Sequence, residues 1–139
     1  MSVLSDFIIA TESQAQEYGR SQSGVPASDV LELKGLTLVE LSTLWALMRG
    51  EEWNDALLDA FAPVPTNDGK DSSMTRLPAE FLTRLTGSDY DLDKVASQWV
   101  VIEEMRCDAP SARTLISDLA RFAGQANHTT QSIYLWNGV

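Results

Sequence analysis

Apolar residues in this chain keep two different rhythms, and the places where each one runs limit the fold more than any other feature. Near the start Phe7, Ile8 and Ile9 are adjacent, and near the end Ile133, Tyr134, Leu135 and Trp136 are adjacent. Short unbroken runs of this kind suit buried strands. Between them apolar residues recur every three or four positions, the spacing that gives a helix one apolar face. A chain with strands at both ends and helices between is neither all-helical nor all-strand. The expected class is α+β, with several helices packed on one small sheet of about three strands.

Local signals fix the elements. Asp6 to Ala10 forms the first strand, and Thr11 with Gln14 makes a capping box for a short helix ending near Gly19. Val30, Leu31 and Leu33 suggest a second strand that stops at Gly35. The clearest helix follows Thr37, whose hydroxyl can cap free backbone amides while Glu40 bonds back. Leu38, Leu41, Leu44, Trp45 and Met48 share its core face, and Gly50 supplies a left-handed C-cap. A further helix is expected over 52–61, with Trp53, Ala56, Leu57, Ala60 and Phe61 on one face, before Pro63 and Pro65 end it. The stretch 63–76 is rich in Pro, Asp, Ser, Thr and Asn and is expected to be a flexible loop.

Pro78 opens a short helix carrying Phe81, Leu82 and Leu85. The next helix has Leu92, Val95, Ala96, Trp99 and Ile102 as its stripe, widened by Val100 and Val101, and is expected to be the most buried. Asp108 caps the last helix, which keeps a 3.6-residue period to Ala123. The final strand, 132–136, should pair with one of the first two. No repeat or linker divides the chain, so 1–139 is expected to be a single domain.

Composition bears on partners and compartment. The chain has 139 residues with 20 acidic and 10 basic side chains, a formal net charge of −10. Affinity for nucleic-acid phosphates or anionic lipid needs a basic footprint, so neither partner is expected. A basic protein is the better complement. Residues 1–70 hold 4 basic and 11 acidic side chains, net −7, against 6 and 9, net −3, in 71–139. Cys107 is the only cysteine, which matches a reducing compartment and a cytoplasmic protein. The N-terminal residues lack the positive segment of a signal peptide. No apolar run approaches the roughly 20 residues of a bilayer helix.

Catalytic chemistry finds little to work with. The one histidine, His128, falls in a polar turn, and Cys107 sits at a helix end beside Arg106. No phosphate-binding glycine loop and no pair of histidines or cysteines at ligand spacing occurs, so no cofactor or metal is expected. Asp89, Asp91 and Asp93 resemble the first calcium-loop ligands, but Lys94 and Val100 occupy the positions that need glycine and a bidentate acid. Those aspartates suit the N-terminus of the next helix instead.

Glu51, Glu52, Asp55 and Asp59 form the densest acidic stretch, spaced to line one side of the expected helix opposite Trp53. Like charges at those spacings oppose the helix, and no cation lies within the segment to relieve them. A local cost of this kind can mark a binding face. With Trp53 they are the candidate binding residues.

The segment 30–50, with Leu-Glu-Leu-Lys-Gly and Leu-Trp-Ala-Leu-Met-Arg-Gly, resembles the YfbM-like family of small bacterial proteins of unassigned function. So does the late helix through Leu119, Arg121 and Phe122 into the aromatic strand Ile133 to Trp136. The resemblance implies a compact α+β fold and brings no reaction. Charge and missing catalytic groups point to a non-catalytic binding module, immunity-like or regulatory, that engages a basic partner. The alternative is an enzyme or small-ligand protein with scattered site residues near His128 and Cys107.

Overall fold

The two rhythms resolve into one antiparallel sheet with helices on both of its faces. A computed structural model of the chain describes residues 3–65, 72–103, 105, 107–126 and 130–138. Its elements are β1 (Leu4–Ala10), α1 (Glu12–Ser21), β2 (Val30–Lys34), α2 (Leu38–Arg49), α3 (Asp55–Asp59), β3 (Ala62–Pro63), β4 (Ser73–Arg76), α4 (Ala79–Thr86), α5 (Leu92–Ile102), α6 (Ala109–Ala123) and β5 (Ser132–Gly138). The strand order is β2-β1-β5-β4-β3, so the last strand enters the middle of the sheet.

Alternation along the central strands gives each face its own core. Phe7 and Ile9 of β1 pair with Leu135 and Ile133 of β5 and join the larger core under α2 and α4–α6. Ile8, Tyr134 and Trp136 point the other way and pack with Ala15 and Tyr18 of α1 and Met74 of β4. In the larger core Trp45, Phe61 and Phe81 meet at ring separations of 5.8–6.2 Å. Trp99 is fully buried, and its indole N–H donates to the Glu40 carbonyl at 2.9 Å.

The sheet has five strands, not about three. The two extra strands come from the segment expected to be a loop, where β3 and β4 pair through Ala62 with Arg76 and Pro63 with Thr75. They carry almost no sequence signal because they are too short to show an alternating apolar pattern. Pro63 is tolerated because β3 is an edge strand, where the ladder does not need its missing N–H. The rest of the expected loop, 66–71, lies outside the described residues.

Two helices also differ from expectation. The helix expected over 52–61 is confined to Asp55–Asp59, because Asn54 caps it by accepting from the Ala56 N–H at 2.9 Å. Only Leu57 and Phe61 of its expected face are buried, while Ala56 and Ala60 are exposed. In α5, Val95, Ala96 and Trp99 are buried, but Val101 and Ile102 in its last turn are exposed. The most enclosed helix is α2, which α3, α4 and α5 all contact.

Candidate functional site

The candidate site begins where α2 ends. Gly50 adopts φ 68°, a left-handed conformation that costs other residues more, and its N–H closes the helix on the Ala46 and Leu47 carbonyls. The chain then turns back along α2 through 51–54. This return lays Trp53 against the helix, with its indole N–H donating to Ser42 Oγ at 2.9 Å. The Ser42 hydroxyl donates onward to the Val39 carbonyl, also at 2.9 Å.

Val39 lies one helical turn before both Ser42 and Thr43, so these three side chains share a ridge of α2. The Thr43 hydroxyl donates to the Glu103 carboxylate, which follows directly on Ile102 at the end of α5. Trp53 therefore borders this ridge on one side and the end of α5 borders it on the other, with Val39 between them. Trp53 is 43% exposed, Val39 50% and Ile102 56%. Together with Val101 they account for four of the five exposed large apolar residues among those described, Leu4 being the fifth. Clustered exposed apolar groups are what distinguish an interaction surface from scattered ones.

The candidate carboxylates do not form a single stripe. Asp55 and Asp59 stand one turn apart on α3, whereas Glu51 and Glu52 precede it in the return turn. Arg49, just outside the acidic segment, pairs with Glu51 at 2.9 Å and relieves part of the repulsion. Glu52 and Asp55 remain exposed on either side of Trp53. Glu51 and Glu52 also line a cleft of about 500 Å³ between the end of α2 and the start of α5, together with Arg84 and Lys94.

Cys107 is half-buried and packs against the larger core, and His128 lies outside the described residues. Among the described residues no three His, Cys, Asp or Glu side chains are grouped to hold a metal ion. Asp91 caps α5 by accepting from the Lys94 N–H at 3.2 Å, and Asp93 pairs with Arg113 at 2.7 Å. No helix of the described residues is long and apolar enough to cross a membrane.

On the opposite face of the sheet, the Tyr18 hydroxyl donates to Asp6 at 2.8 Å. Burial is the main cause that pushes this phenol well above the usual tyrosine range, reinforced by the Asp6 carboxylate. This pairing links residues on different elements and had no local signal in the sequence.

Val39 and Ile102 are the surface residues that sequence reasoning missed. Val39 lies off the α2 core stripe, which was the available clue. Ile102 matches the α5 stripe by spacing and is exposed only because the last turn stands clear of the core. No protein-family model, curated protein or solved structure matches this chain.

Proposed function

We propose that this chain is a non-catalytic partner-binding domain, immunity-like or regulatory, that engages a basic protein through the Trp53 face. The observation that carries this reading is that exposed Trp53 is bonded to Ser42 and the exposed end of α5 to Thr43, each one helical turn from exposed Val39, with exposed Glu52 and Asp55 beside Trp53 in the chain. Tryptophan in a supported position is a frequent energetic anchor of interfaces. Its hydrogen bond to Ser42 holds it in place before any partner arrives, which lowers the ordering cost of binding. The surrounding carboxylates would steer a basic partner and fix its orientation. A lone, half-buried Cys107 agrees with a cytoplasmic location. The YfbM-like resemblance is consistent with the compact α+β fold and adds no chemistry to this reading.

The test is to reverse the charge at Glu52, Asp55 and Asp59 to lysine and measure capture of basic proteins from a native lysate over a salt series. Wild type should retain a basic partner whose binding weakens with salt, and the triple variant should lose both the capture and the salt dependence. Equal capture by the two proteins would remove the acidic face from the account.

A further inference from the structure

A second feature lies beside the Trp53 face and shares only Glu52 with it. Arg49 at the end of α2, Arg84 on α4 and Lys94 on α5 line one cleft of about 500 Å³. Three of the chain's 10 basic side chains thus share one concavity in a protein of net charge −10. The volume falls in the range of small-molecule sites, roughly 300–1,000 Å³.

The cations are held differently. Arg49 is fixed by Glu51 at 2.9 Å and by the Trp45 ring, whose centre lies 5.6 Å from its guanidinium. Arg84 is half-buried, yet among the described residues its guanidinium makes no ion pair and no hydrogen bond. Glu80 stands four residues earlier on α4, the placement that favours a helical ion pair, and Arg84 does not take it. Instead Arg84 lines both this cleft and an adjoining hollow of about 430 Å³ beside Trp45. The Lys94 ammonium is likewise in no ion pair among the described residues.

The same cleft carries Glu52, Asp89 and the α5 cap Asp91, none of them paired with a cation among the described residues. A lone anion drawn to Arg84 and Lys94 is repelled by those carboxylates, and a lone cation meets the reverse. A ligand with both charges satisfies the cations and the carboxylates together. Met48, Val95 and the Tyr90 ring supply apolar wall, and the Tyr90 hydroxyl is anchored to the Leu85 carbonyl at 2.9 Å.

We propose that this cleft binds a small zwitterion, whose carboxylate or phosphate sits between Arg84 and Lys94 and whose ammonium faces Glu52 and Asp89. The test is an NMR titration of the full chain with L-leucine and with phosphoethanolamine. Acetate, inorganic phosphate and ethanolamine serve as single-charge controls.

Saturable shifts at Arg84, Tyr90, Lys94 and Gln98 with either zwitterion are expected, and which one binds identifies the anionic group. Arg84→Gln should weaken binding about tenfold or more, the loss expected for one charge-assisted hydrogen bond. Lys94→Gln, on an exposed side chain, gives the same answer should the first variant disturb α4. The absence of saturable shifts at millimolar zwitterion overturns the proposal. So do equal responses to the single-charge controls, or binding unchanged in both variants. Neither substitution touches Trp53, so failure here leaves the partner-binding reading standing.

Discussion

The indole of Trp136 covers the backbone of Gly138, two residues further along β5. A β-carbon on Gly138 would fall inside contact distance of Trp136 Cη2 and stand 2.6 Å from Cζ2. The glycine is therefore needed for space and not for an unusual backbone angle. Its absent side chain lets Trp136 lie over the strand and meet Tyr18 edge-on at 6.4 Å, which closes the smaller core beneath α1.

Gly138→Ala should consequently destabilise the domain by about 1–3 kcal/mol, the usual cost of overpacking. In urea this appears as a lower midpoint with an unchanged slope. Repeating the substitution in a Trp136→Leu background should shrink the cost, because the two residues are in contact and their effects do not add. An equal cost in both backgrounds would show that the indole is not the obstacle.

Alkaline pH should weaken the fold through its tyrosines. Burial raises Tyr18, Tyr90 and Tyr134, and the Asp6 carboxylate raises Tyr18 further. An unfolded tyrosine titrates near pH ~10. Below that pH both states are protonated and the stabilisation is fully present. Above it the unfolded chain releases protons that the folded chain retains, so stability falls as pH rises. Tyr18→Phe should make this decline shallower in urea unfolding measured on both sides of pH ~10. A slope identical to wild type would mean that Tyr18 is not protected from ionisation.

Tryptophan fluorescence can report the field around the proposed binding face. Trp45, Trp99 and Trp136 are 4%, 0% and 8% exposed, against 43% for Trp53. Collisional quenching should therefore come almost entirely from Trp53. Its carboxylate neighbours attract cations and repel anions, so caesium should quench more efficiently than iodide at matched ionic strength. Trp53→Phe should remove most of the quenching and the difference between the ions. Equal quenching by the two ions in wild type would contradict a negative field at this site.

Much of the local structure was legible in the sequence because its causes are local. Thr37 and Glu40 form their capping box, and Gly50 closes α2 as its position implied. Strands β3 and β4 were not legible. They span two and four residues, and their pairing depends on β5 arriving from the far end of the chain. The same holds for Ser5, whose hydroxyl both donates to the Leu36 carbonyl and accepts its N–H across 31 positions.

The candidate site was legible in part. Trp53 and its carboxylates stood out by composition, but the sequence placed all four carboxylates on one helix, which Asn54 prevents by starting α3 late. Val39 and Ile102 joined the face only when α2 and α5 were brought together. Arg84 was hidden for the opposite reason. Its spacing from Glu80 predicts a routine helical pair, and only the fold turns it toward a cleft.

The central claim is that the ridge of Trp53, Val39 and Ile102 is where a basic partner docks. Amide hydrogen exchange of the chain, free and with the captured partner bound, tests it most directly. The account predicts added protection over 39–43, 51–59 and 101–103, with the α1 face of the sheet exchanging as in the free chain. Protection confined to α1 and β2, with the Trp53 ridge unchanged, would contradict it.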